Sequence, residues 1–216
     1  MKDSIILVSG GLKSYVAWQY LNNPQGLFCV LTDKDIKNKD TVLNLMPDTI
    51  IEEKLDLTSW LGSETALYKD IFLSLIASRY GTDIYFGHTF TEDIVKNAKQ
   101  EFIRNSLAAV LMQYKDVIYK IRSPWKDMDL TDVVSWYIGA KKNDDALLKT
   151  HSCFNRVDKH CGICEGCIER YIALELNGIK DDYISDPAES VLLQGMIKNI
   201  KVGSEKRKER LRSLQS

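Results

Sequence analysis

No stretch of the 216 residues approaches the roughly 20 consecutive apolar positions that a membrane-spanning helix requires. The first apolar run, Ile5-Ile6-Leu7-Val8, is also too short for the core of a secretory signal, so the expectation is a cytoplasmic chain. Net charge is scarce too. Twenty-nine Lys and Arg against 30 Asp and Glu leave −1 at pH 7, so no global field recruits nucleic acid, and neither nucleic acid nor membrane is expected as a partner. Internal repeats and low-complexity tracts are missing as well. What remains, 44% hydrophobic and 27% charged residues, is an ordinary globular composition long enough for one α/β domain with a small appendage.

Strand-like runs recur at residues 26–32, 49–57, 83–87 and 117–121 after the opening 5–8 run. The longer patterned stretches between them are what parallel β/α alternation produces. Ala66, Leu67, Ile71, Phe72, Leu75 and Ile76 within 64–80, and Phe102, Ile103, Leu107, Val110 and Leu111 within 99–114, fall at three- and four-residue intervals. That spacing predicts helices packing one face on a sheet. A further helix is predicted at 130–142, opened by Asp129 and interrupted at Gly139, and 165–176 reads as the last clear one. Ligands of such sheets bind beyond the carboxyl ends of the strands. The loops to watch are therefore 9–14, 32–37, 87–93 and 122–126, with Asp33, His88, Glu92 and Asp93 able to face a ligand.

The loop Ser9-Gly10-Gly11-Leu12-Lys13-Ser14 stands between the first strand and the predicted helix beginning at Tyr15. Two glycines allow close approach to an anion, and the helix start offers N–H groups and a positive dipole end. An ordinary tight turn would use the same glycines. Lys13-Ser14 imitates the end of a nucleotide-binding P-loop, but that motif needs glycine where this chain has Leu12 and Leu7.

Of five cysteines, Cys29 lies alone among Leu27, Phe28, Val30 and Leu31, as a small buried apolar side chain would. The other four, Cys153, Cys161, Cys164 and Cys167, are spaced C-x7-C-x2-C-x2-C with Gly162 and Gly166 among the last three. Four thiolates on glycine-permitted turns suit tetrahedral zinc at about 2.3 Å, and four sulfurs close the site, so the metal would be structural. An iron–sulfur cluster uses the same thiolate set. His151 and His160 lie close by and are expected to serve a neighbouring site or solvent.

Together, the strand followed by Ser9-Gly10-Gly11-Leu12-x-Ser14, the Ser152-Cys153-Phe154 triplet, and Cys161-Gly162-Ile163-Cys164-Glu165-Gly166-Cys167 with Arg170 behind it resemble the 7-cyano-7-deazaguanine synthase (QueC) family. Phe72-Leu73-Ser74-Leu75, Gly87, Glu101-Phe102-Ile103 and Tyr183 are similar to further family segments. The resemblance implies a Rossmann-like, adenine nucleotide alpha-hydrolase-like parallel sheet with helices on both faces and a small C-terminal zinc-binding helical region. The corresponding divisions are a PP-loop domain at 1–145, a four-cysteine module with C-terminal helices at 146–200 and a basic tail at 201–216.

It also implies ATP with Mg2+, a structural Zn2+, a homodimer, and a deazapurine or other carboxylate as small-molecule ligand. Family members activate 7-carboxy-7-deazaguanine with ATP, let ammonia attack the acyl-adenylate, and convert the amide to the nitrile. The implied nucleotide contacts are Ser9, Gly10, Gly11, Leu12 and Ser14, with Glu101 and Phe102 toward substrate. Three departures stand out. Lys13 replaces the aspartate of the family loop, Tyr68-Lys69-Asp70 stands where an Arg-Asn is usual, and Lys96-Asn97-Ala98-Lys99-Gln100 replaces an acidic, cysteine-containing run. Either Lys13, as a candidate catalytic group, and Lys69 contact phosphates as point charges, or synthase catalysis is lost while a ligand pocket persists.

Overall fold

A computed structural model of the chain describes residues 4–31, 33–36, 38–53, 66–89, 94–114, 117–140, 143–155, 158–199, 209 and 213–214. Thr32, Lys37, Glu92, Asp93, the stretches 54–57 and 64–65, Lys141, Lys142 and the remainder of the basic tail lie outside the described residues. Two compact units divide the chain, Met1–Asp127 and Met128–Ser216.

The first unit is built on five parallel strands: β1 Ser4–Leu7, β2 Gln25–Cys29, β3 Ile50–Glu52, β4 Asp83–Phe86 and β5 Lys120–Arg122, in spatial order β3-β2-β1-β4-β5. A strand at the centre of such a sheet is covered on both faces and reads as a continuous apolar run, which is why β1 could be read directly. Ile5 and Leu7 join Leu27, Cys29, Ile84 and Phe86 in a core completed by Ile76 and Ala77 of helix α4 (Ala66–Ala77) and Leu111 of α5 (Ile94–Tyr114). Ile6, which period-two alternation turns to the opposite face, is likewise fully buried. Each such side chain contributes about 1.5–3 kcal/mol of burial. Cys29 is 4% exposed, and burial, with Glu52 nearby, pushes its thiol up to about 12.

Helix α1 (Leu12–Tyr20) links β1 to β2, and two short helices, α2 (Asp33–Ile36) and α3 (Lys39–Leu45), precede β3. The segment expected as a loop at 32–37 is therefore mostly a helical turn. β5 begins later than the apolar run 117–121 suggested, because Val117 and Ile118 are exposed and only Tyr119 and Ile121 are buried. α5 starts at Ile94, five residues before the anticipated start at 99.

In the second unit, α6 (Leu130–Gly139) packs on α8 (Glu165–Glu175), with the short α7 (Asp144–Leu148) between them in sequence. Asp129 caps α6 as expected, its carboxylate accepting the Asp132 N–H at 3.0 Å. The helix ends at Gly139, short of the anticipated 142. Beyond α8, a 3-10 turn at Pro187–Glu189 leads to α9 (Val191–Asn199), a helix past the one read as last. Its Leu193 is fully buried against Ile168 and Ile172 of α8. No helix among the described residues is long and apolar enough to cross a membrane.

Candidate functional site

Strand order reverses between β1 and β4, and residues 9–14 leave β1 at that switch point, where open parallel sheets bind ligands. Gly10 sits at φ +76, in the left-handed region that side chains disfavour, so the first glycine is required by the backbone itself. The Ser9 N–H donates to Ser14 Oγ at 3.1 Å, Ser14 Oγ donates to the Gly11 carbonyl at 3.1 Å, and the two serine hydroxyls are 3.2 Å apart. Gly11 is the N-cap of α1 and supplies no side-chain acceptor to the first helical N–H groups. Across the crevice, a Cβ on Gly87 would lie 2.9 Å from the Ser14 Cα. Gly87 therefore lets the end of β4 close directly onto the loop. Leu12 and Ser14 are buried, while Lys13 is half-buried.

A charged group gathers on the segments around this crevice. Lys69 of α4 lies 2.8 Å from the Asp35 carboxylate of α2, whose other oxygen accepts the Leu31 N–H at 3.2 Å. Lys69 is thus ion-paired within the first unit. Its neighbour Asp70 places a carboxylate 3.6 Å from His88 Nε2. The His88 ring stacks on Phe86 with centroids 4.9 Å apart. Burial raises the Asp70 carboxyl to about 7, against the opposing fields of Arg104 and Lys69. Glu101 and Phe102, one turn or less from Arg104 on α5, are exposed, Phe102 by 72%. Of the residues suggested as ligand-facing, His88 is at the crevice. Asp35, Asp70 and Arg104 carried no local signal, because their partners lie up to 34 residues away.

The cysteine centre belongs to the second unit. The ligand atoms of Cys153, Cys161, Cys164 and Cys167 all lie within 4.8 Å of one another, and the four are free thiols. Tetrahedral coordination with bonds of about 2.3 Å demands sulfur–sulfur edges of about 3.8 Å. Cys161 Sγ and Cys167 Sγ are 3.8 Å apart, so this set fits one metal ion. A cluster that distributed its thiolates over several irons would hold them further apart.

The glycines are obligatory here: a Cβ on Gly162, at φ +83, would lie 1.9 Å from the Ser185 carbonyl oxygen, and one on Gly166 would lie 2.2 Å from that of Ser152. Sulfur charge meets N–H donors. The Phe154 N–H reaches Cys164 Sγ at 3.5 Å, and Asn155 Nδ2 donates to Cys161 Sγ at 3.7 Å. Against burial, which raises it, the N–H groups of Ile163 and Cys164 draw the Cys161 thiol down to about 6. Neither His151 nor His160 is part of this sulfur set. His160 is 7% exposed, so it faces the protein interior rather than solvent.

Fold and centre together define an α/β, Rossmann-like protein with a four-cysteine site able to hold a metal. The model of the QueC family, described as queuosine biosynthesis protein QueC, matches residues 65–178, and the chain belongs to that family. The matched span contains Glu101, Phe102 and all four cysteines and begins after the glycine loop.

Curated relatives point the same way. The chain is 30% identical over 124 residues to the 7-cyano-7-deazaguanine synthase of Archaeoglobus fulgidus, covering 55% of this chain and 51% of that one. It is 29% identical over 117 residues to that of Caldicellulosiruptor saccharolyticus, covering 51% and 50%. It is 33% identical over 108 residues to that of Porphyromonas gingivalis, covering 50% and 47%. The chain thus spans about half the length of the curated relatives it matches.

Proposed function

We propose that this chain binds ATP with Mg2+ over residues 9–14 and a deazapurine-type acid beside it, in the manner of the 7-cyano-7-deazaguanine synthases it is similar to. The observation that carries the reading is the loop's position: a left-handed Gly10 and an uncapped helix start at the strand-order switch, closed by Gly87. Ser9, Gly10, Gly11, Leu12 and Ser14 would supply N–H and hydroxyl donors to phosphate oxygens, where charge builds on a departing pyrophosphate. A divalent ion would add Lewis-acid stabilisation of that charge. Glu101 and Phe102 are the residues proposed toward the acid. Cys153, Cys161, Cys164 and Cys167 would hold a structural zinc with no open position for chemistry. The family resemblance extends the proposal to a cytoplasmic homodimer, which light scattering would check.

A specific observation favours a second reading, a member that binds ligand without turning it over. Lys13 stands where the family loop carries an acid, and Lys69 is already paired with Asp35. Purified protein with ATP, Mg2+, ammonium and 7-carboxy-7-deazaguanine separates the two. Pyrophosphate and a mass change in the base support the enzyme, whereas neither, under conditions where a relative turns over, together with calorimetric ATP binding, supports the binder. Absence of ATP binding sinks both. Lys13→Asp is expected to weaken ATP binding in the absence of Mg2+ and to recover it when Mg2+ is supplied, because it exchanges a cation for a metal-compatible acid.

A further inference from the structure

The four cysteines are not equivalent in the chain. Cys161, Cys164 and Cys167 come from one compact stretch that runs into the first turn of α8, where Cys164 is the N-cap, while Cys153 arrives on a separate arm outside any helix or strand. Every second residue of that arm is gripped from the compact side. Thr150 Oγ1 accepts from Arg170 Nη1 at 2.5 Å. The Ser152 N–H donates to His160 Nε2 at 3.1 Å, and the Ser152 carbonyl lies against Gly166. The Phe154 N–H donates to Cys164 Sγ. Between the gripped Ser152 and Phe154, Cys153 places its sulfur within 4.8 Å of the other three.

Arg170 and His160 are themselves fixed. Arg170 has no exposed surface, and its Nε donates to Asp181 Oδ2 at 2.6 Å while Nη2 donates to the Leu147 carbonyl at 3.0 Å. His160 Nδ1 lies 3.9 Å from the same Asp181 oxygen, and its ring stacks on His151 with centroids 5.0 Å apart. Because Nε2 accepts a backbone N–H, the imidazole is neutral there and its proton is on Nδ1, facing Asp181. Asp181 thus fixes Arg170 directly and lies beside His160, the two side chains that hold the arm.

We infer that His160 and Arg170 are positioning residues of the metal centre, which hold the 150–154 arm so that Cys153 completes a three-thiolate turn. The inference rests on the reading that the four thiolates bind zinc. Outer contacts of metal ligands typically change affinity by about ten- to hundredfold.

The test is zinc content of the full chain, followed by the rate of zinc transfer to a chromogenic chelator. Wild type is expected to hold one zinc and release it slowly. A wild-type chain without zinc overturns both the metal reading and this inference. His160→Ala is expected to release zinc about ten- to hundredfold faster. His160→Gln, whose side-chain oxygen can accept the Ser152 N–H, should recover much of the difference. In a Cys153→Ser background, His160→Ala should add nothing further, because the ligand it positions is already gone. An unchanged rate in His160→Ala, or an effect that persists in full without Cys153, overturns the inference while leaving the metal reading intact. Should His160→Ala fail to fold, Thr150→Val removes one grip with little change of shape. Faster release then supports the inference, and wild-type release overturns it.

Discussion

The glycine loop of the first unit takes its geometry from backbone and two short serine side chains within the loop itself, whereas the cysteine centre of the second takes its geometry from side chains and from a second layer behind them. Around residues 9–14, Gly10 and Gly87 matter for the side chains they lack, and the sheet topology supplies the location. At the cysteines, two glycines again clear space, but Arg170, Asp181 and His160 decide where the ligands stand. A backbone-built site can change its one charged side chain, here Lys13, without losing its shape. A side-chain-built site cannot exchange a member without loosening the rest.

The largest effect expected follows Cys164→Ser. Folding energy from structural zinc is on the order of 10 kcal/mol in small domains, so α8 should lose hydrogen-exchange protection while β1 retains it. Equal loss in β1 would break the contrast between the two regions. Next comes Arg170→Met, which leaves Asp181 buried without its cation. Urea unfolding should show a cost of about 3–5 kcal/mol, partly restored by Asp181→Asn in the same chain. Gly10→Ala should cost about 1–2 kcal/mol, the penalty of a left-handed conformation, since its Cβ would also come within 3.3 Å of Val42. No loss in urea unfolding would show that the loop's shape is not imposed by the backbone.

A further effect concerns pH. Burial lifts the Asp70 carboxyl from 3.8 to about 7, so between those values the folded chain holds a proton that the unfolded chain has released. The linked stability is therefore present at low pH and is lost as pH rises through about 7. Asp70→Asn should flatten this decline, measured as the urea midpoint at acid and neutral pH. An unaltered slope would assign the pH dependence to other groups.

Legibility in the sequence followed the range of the interaction. β1 and the loop were readable because a doubly covered strand is apolar throughout and the glycines follow it at once. The Asp129 cap was readable for the same reason, its partner being three residues away. The spacing of the cysteines marks a metal-compatible set on its own. By contrast, α9 was not singled out: Val191 is 83% exposed, Gly195 interrupts the pattern, and Leu193 finds its partners on α8. Pairings such as Lys69 with Asp35, or Arg170 with Thr150, depend on how distant elements meet, and no local period records them. His160 shows the limit from another side. Its proximity to the cysteines in sequence suggested a neighbouring site or solvent, and only the Ser152 contact shows which group it holds.

Cys29, enclosed by the sheet with its thiol near 12, stays protonated and out of reach of alkylating reagents that attack thiolates. Of the other four cysteines only Cys164 is partly exposed, and Cys153, Cys161 and Cys167 become reactive when their region opens. Counting alkylated sites by intact mass therefore becomes a direct occupancy gauge for one small region, with an internal silent control supplied by the core.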